Sequence, residues 1–105
     1  MDVQDLFEKH EDEFIKFDRV PEHTRVTNRA DINAFILLDK FVPGATDMVC
    51  SAGHDEIWLD VSPDDLQAGL NAAGLSEQDK ENVVITLARC GVRYDSETDS
   101  LAMFV

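Results

Sequence analysis

The sequence is poor in basic residues. It holds nine Lys and Arg against 22 Asp and Glu in 105 residues, which gives a formal net charge of -13 at pH 7. Proteins bind phosphate backbones and anionic lipids mainly by placing Lys and Arg against them, so this shortage disfavours direct contact with nucleic acid or a membrane surface. The deficit is widest from Phe41 to Asp79, a stretch with eight acids and neither Lys nor Arg.

Cysteines and long apolar runs are also scarce. The only cysteines are Cys50 and Cys90, and no apolar run approaches the roughly 20 residues that a membrane span requires. The N-terminus lacks the apolar segment of a secretory signal. These absences predict a cytoplasmic protein with reduced thiols, although spacing alone leaves a Cys50 to Cys90 disulfide open.

The apolar content that is present is sufficient for one folded domain, 1–105. Hydrophobic residues make up 44% of the chain and fall in periodic blocks. High net charge is typical of disorder only where apolar content is low, so a folded domain is favoured.

Two amphipathic helices are predicted in the first half. Apolar residues at helical spacing predict a helix over 3–17, with His10 as a half-buried histidine on its apolar side. After Pro21, Asn28 is an acceptable cap for a second helix over 29–42 that ends before Pro43-Gly44. The residues of this helix expected to face the core are Ile32, Phe35, Ile36, Leu38 and Val42.

A strand follows a stretch, 45–54, for which the pattern predicts no element. Residues 56–61 alternate, with Ile57, Leu59 and Val61 on one side and Trp58 on the other. Trp58 is then either covered by the N-terminal helix or available as an interface anchor.

The clearest local signals belong to a pair of helices. Ser62, then Pro63, begins a helix over 63–73 that ends at Gly74, and Ser76 begins another over 77–90 that ends at Gly91. Leu66 and Leu70 should be buried in the first helix, and Val83, Val84, Leu87 and Ala88 in the second. Strands over 92–95 and 100–105 form a hairpin with an acidic tip.

This order of helix, strand, two helices and hairpin resembles the winged-helix family. The resemblance implies an α+β fold in which helices pack on a small three-stranded antiparallel sheet, with 29–105 as the winged-helix-like core and the helix over 3–17 added to it. It also implies DNA recognition by the second helix of the pair, but there Lys80 stands among acids and the hairpin carries more acids. The charge therefore disfavours a DNA-binding role.

Four sequence blocks resemble a group of small acidic proteins encoded by bacteriophages and prophages. The blocks are HEDEFIKFDRV, FVPG, HDEIWLDV and RCGVRYDSETDSLAMFV. The resemblance implies a viral or prophage origin, hence a location in the host cytoplasm, and supplies no catalytic residues.

Candidate chemistry is sparse. One candidate metal site consists of Cys50, His54, Asp55 and Glu56. A metal site needs three or four ligands at defined spacing, and no second cluster of Cys or His accompanies this one. A turn leading into the strand, with Cys50 packed as a small apolar residue, explains these residues better. Helix capping likewise explains Asp64 and Asp65. No catalytic residue, metal or cofactor is predicted.

The function predicted from these observations is that of a non-enzymatic phage or prophage accessory protein that binds another protein through an acidic surface. In one form of this hypothesis the chain mimics nucleic acid, with its carboxylates in place of phosphates in the basic groove of a host protein. The alternative is a small homo-oligomeric structural or regulatory module with no DNA contact. The residues predicted to contact a partner are Trp58, Asp64, Asp65, Glu77, Asp79, Glu81, Asp95, Glu97 and Asp99.

Overall fold

A computed structural model describes residues 1–44 and 47–104. The fold is α+β, with four α-helices and a four-stranded antiparallel sheet. The helices are α1 (Val3–Lys9), α2 (Ala30–Phe41), α3 (Pro63–Ala72) and α4 (Glu77–Arg89). The strands are β1 (Val49–Gly53), β2 (Glu56–Leu59), β3 (Val92–Asp95) and β4 (Ser100–Phe104), arranged across the sheet in the order β1-β2-β4-β3.

The prediction of three strands is wrong by one strand. The unassigned stretch before the predicted strand contributes β1, which pairs with β2 through a two-residue turn at His54 and Asp55. Asp55, the second residue of this turn, has a φ of 64°, in the left-handed region that Asp adopts more readily than most residues. Part of the stretch, residues 45 and 46, lies outside the described residues. The three predicted strands are otherwise present, with β2 and β3 on either side of β4. The strand predicted over 56–61 ends at Leu59, and residue 105 of the strand predicted over 100–105 lies outside the described residues.

The predicted N-terminal helix over 3–17 is wrong in its second half. Helix α1 ends at Lys9, and single 3-10 turns follow at Glu11–Glu13 and Phe17–Arg19. Between them Ile15 adopts a φ of 56° and donates its backbone N–H to the carbonyl of Ala88 at 3.0 Å. The tertiary hydrogen bond to the end of α4 replaces a helical one, so helical spacing alone predicted too long an element.

Helix α2 has nearly the predicted bounds but a different cap and a different buried face. Arg29, not Asn28, occupies the N-cap and makes no side-chain capping bond. Ala34 and Leu38 are buried, whereas Ile32 and Ile36, which were expected in the core, are about 42% and 43% exposed. Only one face of α2 therefore contacts the core.

The capping predictions for the helix pair are confirmed. Ser62 and Asp65 form a reciprocal capping box at the start of α3, and the Ser76 hydroxyl accepts from the backbone N–H of Asp79 at the start of α4. Gly74 and Gly91, with φ values of 72° and 95°, follow the two helices as expected.

The core lies between the helices and one face of the sheet. Leu59, Leu101 and Met103 of the sheet are fully buried, as are Leu66 and Leu70 of α3 and Val84 and Leu87 of α4, which confirms most of the predicted core positions. Cys90 is also buried, but Cys50 lies exposed on β1, so the prediction that Cys50 packs as an apolar residue is wrong. Both cysteines are free, which excludes a disulfide between them in this structure.

Candidate functional site

The predicted contact residues do not form one surface. Asp64 and Asp65 lie at the start of α3, and Glu77 and Asp79 lie at the start of α4, beyond the far end of α3. A ten-residue helix is about 15 Å long, so these two acidic groups are well separated. The hairpin residues, Glu97 and Asp99, form a third location between β3 and β4.

Two of the predicted acids on α4 form ion pairs within the chain, Glu77 at the exposed surface and Glu81 in a partly buried position. Lys80 donates to Glu77 at 3.1 Å, and Glu81 accepts from Lys9 at 3.0 Å. His10 Nε2 lies 2.6 Å from the same Glu81 oxygen, which confirms that His10 is half-buried and has a partner. The hydrogen bond from His10, followed by that from Lys9, lowers the pKa of Glu81. Glu81 therefore holds α1 against α4.

A second ion-pair cluster holds the segment after α1. Arg89 of α4 donates to Glu13 at 2.7 Å, and Arg19 donates to the other Glu13 oxygen at 2.9 Å. The hydrogen bond from Arg89 is the largest cause of a lowered pKa at Glu13. Like Glu81, Glu13 is a structural carboxylate.

Asp95 is buried and fully engaged within the hairpin. It accepts from the Trp58 indole at 3.0 Å, from the Thr98 hydroxyl at 3.1 Å and from the Glu97 backbone N–H at 3.2 Å. Burial by itself would raise the pKa of the Asp95 carboxyl, but these hydrogen bonds and the nearby Arg93 charge hold that pKa below its ordinary value.

Trp58 lies on the sheet face opposite the core and is half-buried there. Its strand register places it beside Ala102 of β4, which is completely buried, and its ring lies against Gly53 of β1. The sheet itself covers Trp58, so coverage by the N-terminal helix is not what buries it. Ion pairs from Arg93 to Glu56 and Asp95 complete this face.

One acid of the hairpin tip, Asp99, accepts a hydrogen bond from the adjoining strand β3. The Tyr94 hydroxyl donates to Asp99 at 2.7 Å, and this bond, with burial and the nearby charges of Asp99, Glu8 and Asp95, raises the pKa of Tyr94. Glu97 is exposed. Of the predicted hairpin acids, Glu97 is thus the one whose side chain points to no partner among the described residues.

Most of the basic residues form ion pairs with carboxylates of the same chain. Among the described residues, six of the nine pair with a carboxylate: Lys9, Arg19, Arg29, Lys80, Arg89 and Arg93. Arg25 instead donates to the carbonyls of Val20 and Phe17 and lies over the Phe17 ring. These ion pairs engage six of the 22 acidic residues, so most carboxylates remain unneutralised at the surface.

Three carboxylates without a Lys or Arg partner among the described residues line a cleft of about 130 Å³. Asp39, near the end of α2, and Asp47 and Asp60, at the two ends of the β1–β2 hairpin, line this cleft over an apolar floor that includes Met48 and Val61. We call Asp39, Asp47 and Asp60 the acidic cleft. Asp64, exposed at the start of α3, follows Asp60 by four residues along the chain.

The sequence prediction missed all three residues of the acidic cleft. The signal that could have found Asp47 and Asp60 is the absence of Lys and Arg from Phe41 to Asp79 combined with a recognised hairpin; no such signal marks Asp39, which lies on α2. A hairpin brings its two ends together, and here the Asp60 backbone N–H donates to the Met48 carbonyl at 2.7 Å. Because β1 was not predicted, this pairing could not be anticipated.

A larger groove of about 720 Å³ lies between α2 and α4. Its lining is mostly apolar and includes Val26, Ile36, Phe41 and Val83, with Lys40 on the α2 side. No described group of three His, Cys, Asp or Glu side chains could hold a metal ion. Cys50 and His54 belong to β1 and to its exposed turn, respectively.

No helix in the described part of the chain combines the length and the apolar character needed to cross a membrane.

No protein-family model, curated protein or solved structure matches the chain.

Proposed function

We propose that this chain is a non-enzymatic accessory protein of a phage or prophage that binds a basic surface of another protein through the acidic cleft. One observation carries the proposal: Asp39, Asp47 and Asp60 line the same cleft of a molecule whose Lys and Arg side chains are mostly paired elsewhere. The nearby chain from Phe41 to Asp79 has no basic residue.

The electrostatics favour a cationic partner. Closely spaced carboxylates attract Lys and Arg side chains, and the apolar floor of the cleft suits the aliphatic stem of such a side chain. The three aspartates carry no ion pair to Lys or Arg among the described residues, so binding would not have to break an internal one. Attraction between exposed charges is screened by salt, so the complex should weaken as salt is added.

A winged-helix-like scaffold is consistent with this function. The order β2, α3, α4, β3 and β4, with β2 paired to β4, supports the assignment. Lys80, the basic residue near the start of α4, donates to Glu77. DNA recognition by α4 would need donors for phosphates and base edges, so we propose that the scaffold binds protein rather than DNA.

The test is capture of host proteins by the immobilised chain, with a double variant that neutralises the cleft. Asp47→Asn/Asp60→Asn removes two charges and keeps the Asp47 oxygen that accepts from the Val49 backbone N–H. The matched control, Asp12→Asn/Asp18→Asn, removes the same charge from exposed sites in the N-terminal segment. The cleft variant should lose the captured protein, and the control should retain it.

Two further arms identify the kind of partner. Elution by salt is expected if the contact is between exposed charges, and elution by duplex DNA would show that the partner surface is a nucleic-acid site, as mimicry requires. Capture that survives both high salt and neutralisation of the cleft would contradict the proposal.

A further inference from the structure

Helix α2 is apolar on two opposite faces. Ala34 and Leu38 are completely buried on one face, while Ile32 and Ile36, four residues apart and therefore neighbours on the helix surface, are exposed on another. A surface helix normally carries polar residues on the face away from the core. Ile32 and Ile36 thus form an uncovered apolar stripe.

The apolar stripe extends beyond the helix itself. Val26, 66% exposed, is held beside α2 because its backbone N–H donates to the buried side chain of Asn33 at 2.8 Å. Val26 and Ile36 both line the large groove between α2 and α4. The exposed apolar surface is therefore continuous with a concave one, as at many protein interfaces.

The charges on this face are balanced, unlike those of the whole molecule. Arg29 lies three residues before Ile32, and Asp39 lies three residues after Ile36; both are exposed. The Arg29 guanidinium also binds Asp31 of α2 through Nε and Nη2, at 3.0 and 2.9 Å, yet its side chain remains 68% exposed. Lys40 is also exposed and has no carboxylate partner among the described residues. On a chain of net charge -13, this face can approach another copy with little local repulsion.

We propose that α2 is the interface of a homodimer, in which the helices of two copies pack antiparallel about a two-fold axis. The order Arg29, Ile32, Ile36, Asp39 is symmetric about its midpoint. Antiparallel packing therefore places Ile32 opposite the partner's Ile36, and Arg29 opposite the partner's Asp39, at two equivalent positions. It also sets the two helix dipoles in opposite directions.

A second copy fits this face better than an unrelated basic protein does. A two-fold interface needs one surface that complements itself, and these four positions supply both the apolar contact and the opposite charges. Dimerisation would also cover the exposed Ile32 and Ile36 and would leave Asp47 and Asp60 free, but it would use the third residue of the acidic cleft, Asp39. The two proposals therefore share Asp39, and the variant Asp47→Asn/Asp60→Asn tests the acidic cleft without touching the dimer contacts.

The salt dependence of the dimer distinguishes it from the acidic-cleft complex. Each copy has a net charge of -13, so the two copies repel at long range although their α2 faces are balanced. Salt screens this repulsion, because the Debye length falls to about 3 Å at 1 M. The dimer should strengthen with salt, whereas binding of a basic partner should weaken.

The experiment is sedimentation velocity of the full chain over a range of protein concentrations, from low salt to about 1 M NaCl. The expected result is a monomer–dimer equilibrium that shifts toward dimer as salt rises. Ile36→Glu should raise the dimer dissociation constant at least about tenfold, and Ala68→Glu, which adds the same charge at an exposed position of α3, should change it little. Circular dichroism verifies that both variants are folded.

A charge-reversal pair tests the antiparallel arrangement itself. Arg29→Glu and Asp39→Arg should each dimerise poorly alone, because each places like charges opposite one another twice. Mixed together they should restore the dimer, because both contacts are again of opposite charge. A monomer at every salt and protein concentration, a dimer that survives Ile36→Glu, or a mixture that dimerises no better than its parts would overturn the proposal.

Discussion

The Trp58 indole donates a hydrogen bond to Asp95 at 3.0 Å and so joins β2 to β3 across the central strand β4. Each residue, considered alone in the sequence, suggests contact with a partner. In the fold these two residues bind each other. The buried Asp95 carboxylate accepts the indole N–H and two further hydrogen bonds, from the Glu97 backbone and the Thr98 hydroxyl. This face of the sheet is a stabilising element.

Replacing Trp58 with Phe should destabilise the domain. The variant keeps an aromatic ring over Gly53 but removes the donor to buried Asp95, which leaves that carboxylate with one hydrogen bond fewer. We expect the thermal unfolding midpoint to fall by several degrees. Tyr94→Phe is the control, since it also removes a donor to a carboxylate, but at an exposed tip residue, Asp99. An equal or larger loss in the control would contradict the role of Trp58.

Acid should destabilise the fold through three structural carboxylates, Glu13, Glu81 and Asp95. Each has a lowered pKa in the folded chain, so each binds protons more readily when unfolded. Their stabilising contribution is therefore complete above the ordinary carboxyl pKa of about 4 and is lost as pH falls through the lower folded values. Urea unfolding at several pH values measures this.

Amide variants separate these carboxylates from the other acids. Glu81→Gln should lower stability near neutral pH and flatten the loss of stability on acidification, because the titrating group is gone. Glu22→Gln, at an exposed position outside the ion pairs among the described residues, should leave the pH profile nearly unchanged. Identical profiles for the two variants would contradict a structural role for Glu81.

Replacing Asn33 with Ala should cost about 2 to 4 kcal/mol, because several buried hydrogen bonds are lost together. The Asn33 side chain accepts from the backbone N–H of Val26 at 2.8 Å and donates to the carbonyls of Thr27 and Arg29 at 2.8 and 2.6 Å. It therefore fixes the connector to the start of α2. Chemical denaturation measures the loss.

Asn28→Ala provides the comparison, because Asn28 is the cap that the sequence predicts. Asn28 is exposed and Arg29 occupies the N-cap, so this change should alter stability by no more than about 0.5 kcal/mol. A large effect at Asn28 with a small one at Asn33 would reverse the assignment.

Replacing Gly69 with Ala should destabilise the chain although alanine is the better helix former. A Cβ atom at Gly69 would overlap the carbonyl oxygen of Phe41, where α3 crosses the end of α2. Relieving that overlap requires backbone movement, which typically costs about 1 to 3 kcal/mol and exceeds the gain of about 1 kcal/mol in helix propensity. Thermal unfolding tests this, and a stabilised variant would contradict the close packing.

The elements that the sequence predicted well are those with local signals. Ser62 and Ser76, with glycines after each helix, mark α3 and α4 to within a residue or so, because capping is a short-range interaction. Alternation with a central turn likewise predicts β3 and β4. These signals require no knowledge of what packs against them.

The elements that the sequence predicted poorly depend on distant contacts. The end of α1 is set by ion pairs and a backbone bond to α4, far along the chain. Strand β1 has mostly exposed small residues and hence no alternation to detect. The candidate site also depends on distant contacts. Glu81 and Asp95 were predicted to contact a partner, but both accept hydrogen bonds from side chains of the same chain. Asp47 and Asp60 line one cleft only because the β1–β2 hairpin brings them together.

The most direct test of the acidic cleft is the salt dependence of the dissociation constant for a purified captured partner. The account predicts that log Kd rises steadily with log salt, and that Asp47→Asn/Asp60→Asn both weakens binding and reduces this slope, whereas Asp12→Asn/Asp18→Asn does neither to the same extent. A Kd that is independent of salt, or one changed equally by the two double variants, would contradict binding through the acidic cleft.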